Sequence, residues 1–250
     1  MSTSRRGLAA PDFDRLAASY DELRPADDNW SELADLLVRE GDLRARRVLD
    51  VGCGTGRFAS RLAEEHGAKV WGIDSSREML AVAKRRAAPG VGFKLARAEK
   101  LPFRDGWFER AVMWLSAHVV DRPATFPEVR RVLGRGGRLV VATFDPAHFD
   151  SFWMNRIFPS LEAIDRARFP SPGDLVRELE DVFARVRLVP LHQTATLDRA
   201  TALRKLRGPS ISTLQLLDER EYRAGLARAE AELPDRLAYR LDWVVAVAEA

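Results

Sequence analysis

Seven consecutive residues constrain this chain more than any others: Asp50-Val51-Gly52-Cys53-Gly54-Thr55-Gly56, which cut short an apolar run and lead into a helical pattern. Residues 48–51 read as a buried strand. Residues 58–66 read as a helix with Phe58, Leu62 and Ala63 inward and Gly67 at its stop. Glycines at such a joint let the backbone turn sharply and approach a ligand with no Cβ in the way. The helix that follows offers unpaired N–H groups at its start. A strand, a glycine loop and a helix in this order are typical of parallel α/β sheets, which bind ligands beyond the carboxyl ends of their strands.

The spacing narrows the ligand. A dinucleotide site wants G-x-G-x-x-G, whose third glycine would fall on Arg57, and a phosphate-cradling P-loop wants a lysine that does not follow here. Asp50, two residues ahead of the first glycine, would repel a pyrophosphate and suits an ammonium group. The expected ligand is therefore cationic near the loop and free of phosphate. Asp74, closing a second strand at 70–73, stands where a carboxylate can accept hydrogen bonds from ribose hydroxyls.

Further strands at 91–96, 109–115 and 138–144, with helices between them, predict a parallel sheet covered on both faces and joined by right-handed crossovers. Ahead of the core, residues 12–20 carry Phe13, Leu16, Ala17 and Tyr20 at helical spacing, Pro25 ends that segment, and Ser31 is placed to cap a second helix. Gly134 to Gly137 read as a turn after a helix over 126–133. Past Asp145 the pattern loosens: an aromatic-rich helical stretch at 149–169, a helix at 174–183, a strand at 186–196, helical segments at 197–206 and 218–233, and a last strand at 239–248. The expected organisation is one domain over 1–250, with a helical cap at 1–45, a ligand-binding core at 46–145, a helical lid at 146–182, and C-terminal strands with a helical insertion at 183–250.

Composition removes several classes. No apolar run approaches the roughly 20 residues that a membrane-spanning helix needs. Forty basic residues against 37 acidic give a net charge of +3, and the arginines are interleaved with acids from Arg5 to Arg240. No charge run makes an electrostatic footprint, so no nucleic-acid partner is expected. The single cysteine, Cys53, excludes an internal disulfide and a multi-cysteine zinc site, and no metal centre is expected. The first eleven residues hold Arg5 and Arg6 but no apolar stretch, so the expectation is a cytoplasmic protein without a secretory signal.

Four motifs in order, VLDVGCGTG at 48–56, GIDSSREML at 72–80, AEKLPF at 98–103 and RRVLGRGGRLVVATF at 130–144, resemble the class I S-adenosylmethionine-dependent methyltransferases. The nearest likeness is to the small-molecule branch that includes ubiquinone and menaquinone biosynthesis enzymes. The resemblance implies a Rossmann-like, doubly wound seven-stranded sheet, mostly parallel with an antiparallel last strand, plus a helical cap or lid. It implies S-adenosyl-L-methionine as cofactor, with Asp50 and Gly52 near its amino group and Gly54 and Gly56 shaping the loop. Asp74 would bind the ribose, and Ser75 and Met79 would border the adenine. Ala98 and Glu99 would line the adenine edge, Leu115 would lie beneath the methionine portion, and Tyr20 would close over the cofactor from the N-terminal segment. Two positions depart from the family pattern. Arg97 stands where an acidic residue often meets the adenine amino group, and Arg135 replaces the proline of a structural Pro-Gly-Gly turn.

The acceptor is less legible. Methyl transfer gains much of its rate from proximity and alignment, and needs a base only when the acceptor must lose a proton. His118, just past the fourth strand, is the candidate base among four histidines, with His148 and His192 further from the motif region and His66 at a helix end. The segment after strand four, Leu115-Ser116-Ala117-His118, lacks the Pro-Pro motif of amino-methylating DNA enzymes, and Cys53 is misplaced for a cysteine nucleophile. Phe149, Phe152 and Trp153 start an apolar stripe that can wall a pocket, which favours a small apolar or aromatic acceptor methylated at O, N or C. Arg156, Arg166 and Arg168 could meet an acid group. The alternatives are an RNA or protein methyltransferase, or a non-catalytic S-adenosylmethionine-binding protein. A monomer or homodimer is expected.

Overall fold

The computed structural model describes residues 11–208 and 211–250. The segment with Arg5 and Arg6, on which the expectation about a secretory signal rests, lies outside the described residues. Seven strands form one sheet: β1 (Arg47–Val51), β2 (Lys69–Asp74), β3 (Val91–Leu95), β4 (Phe108–Trp114), β5 (Leu133–Phe144), β6 (Arg185–Asp198) and β7 (Arg236–Glu249). Their order is β3-β2-β1-β4-β5-β7-β6, and β7 runs antiparallel to both neighbours while the other pairs are parallel. This is the Rossmann-like, doubly wound sheet that the motif order implies.

Alternate strand residues feed two cores. Val48, Val70, Val112, Val140 and Val245 pack under α3 (Asp28–Gly41) and α4 (Arg57–His66). Leu49, Ile73, Met113, Leu139 and Ala246 pack under α6 (Arg122–Val132) and α8 (Pro172–Glu180). A strand buried on both faces needs an apolar run, which 111–113 and 139–142 supply without a break and 48–51 supplies except at Asp50. A third cluster joins α7 (Leu161–Arg168), α9 (Arg199–Arg207) and α10 (Glu219–Glu232) around Phe158, Leu161, Leu206 and Ala229.

Several local expectations are corrected. The helix expected over 12–20 is two single turns, α1 (Phe13–Leu16) and α2 (Tyr20–Leu23). Asp12 caps α1, and the chain leaves helical geometry at Ser19, so long-range contacts rather than helix propensity hold this strap. The cap of α3 is Asp27, whose side chain accepts from the Trp30 N–H at 2.9 Å, and Ser31 lies one turn inside. An ionised carboxylate at a helix N-terminus accepts more strongly than a hydroxyl.

The helix α6 starts at Arg122, four residues earlier than its apolar pattern, because Pro123 suits a first turn. Gly134 to Gly137 extend β5 instead of forming a free turn, with a register shift against β4 between Phe108 and Arg110. The stretch 149–169 is not one helix. It contains 3-10 turns at Pro146–Ser151 and Trp153–Arg156, split by an extended Phe152, before α7 begins. The region expected as a lid over 146–182 is shorter too, since α8 sits on the sheet with Leu175 and Leu179 in the main core. Among the described residues, no helix is long and apolar enough to cross a membrane.

Candidate functional site

The ends of β1 and β4 meet at the glycine loop. Gly52 has φ +74, and a Cβ built there would lie 2.5 Å from the Cβ of Ser116, so only glycine lets the two strand ends touch. The Ser116 hydroxyl donates to the Val51 carbonyl at 2.7 Å, and the N–H groups of Gly52 and Cys53 donate to the Ile73 carbonyl. Gly54, at φ +52, has open space where a Cβ would stand. Gly56, at φ +70, is a packing glycine, because a Cβ would meet Phe93 at 2.6 Å and Ala83 at 2.9 Å. Leu115 holds φ +51, a strained conformation for leucine, and its N–H donates to the Ala142 carbonyl at 2.9 Å. Strained residues of this kind concentrate where a site needs a fixed shape.

Beyond this loop lies a cavity of about 330 Å³. Of the residues singled out in the sequence, it brings together Tyr20, Asp50, Gly52, Gly54, Leu115, His118, Phe149, Phe152 and Trp153. Asp50 is 3% exposed, and its carboxylate makes no hydrogen bond among the described residues. Burial, reinforced by the charge of Asp74, pushes its carboxyl up to about 7. An unpaired buried carboxylate is costly, and a cationic ligand removes the cost. Cys53 also faces the cavity, where burial and the two neighbouring carboxylates hold its thiol well above the usual range, so it is not a nucleophile.

Asp74 does not open on this cavity. Its Oδ2 accepts from the Gly54 N–H and its Oδ1 from the Ser76 N–H, each at 2.9 Å, so it shapes the loop directly. Burial raises its carboxyl above the ordinary value. Ser75 is exposed, and Ser76 caps α5 (Arg77–Arg86) by accepting from the Met79 N–H. Met79 packs against Leu16 and Ala17 of the N-terminal strap. Ala98 sits in the main core, and the Glu99 carboxylate accepts from the Asp121 N–H and pairs with Arg97 at 3.3 Å. Arg97 thus occupies the carboxylate that its own substitution would otherwise leave for adenine.

Both His118 and His148 line the cavity; His66 and His192 do not. The His118 ring stacks on Phe169 at 4.1 Å, and its Nδ1 is sealed without a partner. Burial first, then Arg168, Arg24 and Arg122, hold its basicity well below the usual imidazole range. His148 stacks on Phe144 at 4.6 Å and is pulled down to about 4 by burial. Both rings are neutral at physiological pH and so free to accept a proton, but the lowered basicity makes His118 a weak base. His192 instead bonds Asp242 at 2.7 Å on the other face of the β6–β7 pair.

The sequence reading passed over several residues that the fold places here. Trp30 stacks on Trp114 at 5.2 Å, with Phe58 edge-on at 5.0 Å from Trp114. The Trp243 indole N–H donates to Gln193, whose amide donates to the Asn29 carbonyl and Glu32, tying α3 to the β6–β7 wall. Asp21 accepts from the Thr55 hydroxyl at 2.8 Å and pairs with Arg86 at 2.6 Å, which fastens the strap to the glycine loop. The adjacent Tyr20-Asp21 pair was its only sequence signal. Among the described residues, no group of three or more His, Cys, Asp or Glu is gathered for a metal ion.

A family profile described as a methyltransferase domain matches residues 48–137. The chain is 34% identical over 181 residues to a ubiquinone/menaquinone biosynthesis C-methyltransferase of Desulfotalea psychrophila, covering 69% of this chain and 70% of that one. Two further curated methyltransferases, of Streptomyces halstedii and Mycobacterium bovis, match over about half of their own length. A methyltransferase from an antibiotic biosynthesis pathway of Anabaena variabilis superposes with a TM-score of 0.68 at 21% identity, over 86% of this chain and 96% of that one. The geranyl diphosphate C-methyltransferase of Streptomyces coelicolor, solved with S-adenosyl-L-homocysteine, gives a TM-score of 0.56 at 18% identity, over 98% and 92% of the two chains.

Proposed function

The chain belongs to the S-adenosylmethionine-dependent methyltransferases, and from that premise we propose that it methylates a small, flat and largely apolar acceptor held in the aromatic cavity beyond the glycine loop. The carrying observation is Asp50: a buried carboxylate without a side-chain partner, on the wall of a cavity that also gathers Trp30, Trp114, Phe144, Phe149, Phe152 and Trp153. The residues present fit the cofactor. An ammonium would satisfy Asp50, and the open side of Gly54 would accept close approach of the ligand backbone. When bound, S-adenosylmethionine supplies a methyl group on a sulfonium, ready for in-line displacement.

The chain's own residues then orient and dehydrate. Asp50 and Gly52 take the methionine amino group, and Asp74, which keeps the loop in shape with one lone pair of each oxygen, offers the remaining ones to the ribose beside the cavity. Ser75, Met79, Ala98 and Glu99 surround the adenine from outside the cavity, with Glu99 committed to Arg97 and so little able to meet the adenine amino group. Tyr20 closes over the cofactor from the strap, and Leu115 supports it from below. Phe149, Phe152 and Trp153 wall the acceptor and exclude water. His118 contacts the acceptor as an uncharged imidazole, and proximity rather than strong basicity supplies the rate. The names of the relatives, one of ubiquinone/menaquinone biosynthesis and one a geranyl diphosphate C-methyltransferase, favour a small molecule over nucleic acid or protein. We take the protein to act in the cytoplasm as a monomer or homodimer.

A thermal-shift series with S-adenosylmethionine, S-adenosylhomocysteine, NAD and ATP tests the ligand class, since a ligand at a hundred times its Kd stabilises by about 2.7 kcal/mol. Stabilisation by the first two alone is expected; stabilisation by NAD or ATP instead would reject the reading. Asp74→Ala is expected to weaken both cofactor forms at least tenfold, roughly 1.4 kcal/mol. Unchanged affinity by calorimetry would remove Asp74 from the site.

A further inference from the structure

Far along the chain from the methyltransferase motifs, two elements converge on one wall of the cavity. Asp165 comes from α7, and Ser212 and Thr213 come from the 3-10 turn Ser212–Leu216. The Thr213 hydroxyl donates to Asp165 Oδ1 at 2.5 Å. Arg168, one turn further along α7, donates to the Thr213 hydroxyl oxygen at 2.7 Å and to the Ser212 hydroxyl oxygen at 3.1 Å, and lies 3.6 Å from Asp165 Oδ1. All four residues are buried, Asp165 at 4% exposure. Asp165 Oδ2 makes no hydrogen bond among the described residues, and it is not one of the sealed, unpartnered atoms. It is therefore the oxygen that meets the cavity.

Buried polar groups are normally fully paired, and a half-satisfied network in a well-packed wall points to a missing partner. Arg168 already balances the charge of Asp165, so a second cation is not required, and the vacancy suits a neutral hydrogen-bond donor. The rings beside it are Phe149, Phe169 and His118, with Phe149 and Phe169 centred 5.0 Å apart. We propose that Asp165, held by Thr213 and Arg168 in the cavity wall, is the anchor for a hydroxyl group carried on a flat aromatic acceptor. The inference rests on the methyltransferase reading of the same cavity. It adds the feature of the acceptor that the cofactor motifs leave unspecified. Burial also raises the Asp165 carboxyl to about 6, which strengthens it as a partner for a weakly acidic hydroxyl.

A pair of probes separates the effect of the hydroxyl from that of the ring. Binding of 1-naphthol and naphthalene is followed by tryptophan fluorescence in the presence of saturating S-adenosylhomocysteine. Wild-type protein is expected to bind 1-naphthol at least tenfold more tightly than naphthalene, because a site built to pair a hydroxyl rejects the analogue without one. Asp165→Leu removes the oxygen but strands Arg168, so the double variant Asp165→Leu with Arg168→Met, which replaces the pair by apolar groups of similar size, keeps the wall packed. It is expected to bind the two probes within about threefold of each other, with unchanged affinity for S-adenosylhomocysteine. Equal binding of the probes by wild type, or preference for 1-naphthol surviving in the double variant, would overturn the assignment. Failure of S-adenosylhomocysteine to bind wild type would overturn the methyltransferase reading itself, a separate result.

Discussion

Asp50→Asn is expected to melt about 5 °C above wild type at pH 7.5 and to bind S-adenosylmethionine about a hundredfold more weakly. The two effects share one cause. Asp50 is buried without a cation, and its carboxyl is raised from about 4 to about 7. A raised acid binds its proton in the native state while the unfolded chain has already released it. Stability from this group therefore declines as pH climbs from about 4 to about 7 and stays reduced above that, by on the order of 4 kcal/mol. Asparagine recovers part of this, and a domain of this size gains about 2–4 °C per kcal/mol. The same carboxylate must be ionised to hold an ammonium, so wild-type affinity should fall about tenfold for each pH unit below 7. That slope should vanish in the variant. Calorimetry and thermal melts between pH 5.5 and 8.5 measure both trends, and a variant that melts lower and binds normally would show that Asp50 serves the fold and not the ligand.

Gly225→Val is expected to lower the melting temperature by about 8 °C, roughly 3 kcal/mol, and to disorder the acceptor side of the cavity before the cofactor side. Gly225 lies in α10, where an ordinary residue would favour the helix over glycine by about 1 kcal/mol. Tertiary packing outweighs that preference. A Cβ at this position would stand 2.2 Å from the Phe158 ring and 3.1 Å from the Ile157 carbonyl oxygen, and Phe158 is fully buried between α7 and α10. The ring has no free volume to turn into. Its displacement would propagate to the 3-10 turns that carry Phe152 and Trp153, and to the wall that holds Thr213. Affinity for S-adenosylhomocysteine is expected to stay within about threefold of wild type, because the glycine loop belongs to a different packed cluster. A melting temperature within about 2 °C of wild type would mean that Phe158 yields without cost.

The two variants mark where sequence reasoning was strong and where it was weak. The central strands β1, β4 and β5 were legible because strands covered on both faces are largely apolar, and Gly52, Gly54 and Gly56 punctuate the chain at the first crossover. The antiparallel final strand followed from the resemblance. The segments after Asp145 were read less well. Extended Phe152 and the Pro146 and Pro159 breaks turn one apparent helix into short 3-10 turns, and α8 leaves the lid for the sheet. The aromatic residues there have the same spacing whether they face a core or a ligand, so their pattern alone does not distinguish the two. Asp21, Gln193 and Asp165 carried little or no local signal, since their partners lie 34 to 164 residues away.

The sequence by itself determined the sheet, the position of the glycine loop and the class of cofactor. The sheet and the loop follow from short-range constraints, strand burial and φ above zero at glycine. The charge beside the loop asks for a cationic ligand, and the cofactor itself follows from the resemblance of the four motifs. Tertiary structure alone decided which carboxylates are left unpaired. Asp74 was expected to point at a ligand and is bound to the loop N–H groups. Asp50 of β1 and Asp165 of α7, far apart in the chain, reach the same cavity with an oxygen to spare. Whether a polar atom finds a partner depends on every element packed around it, and that sum is not written at any one position in the chain.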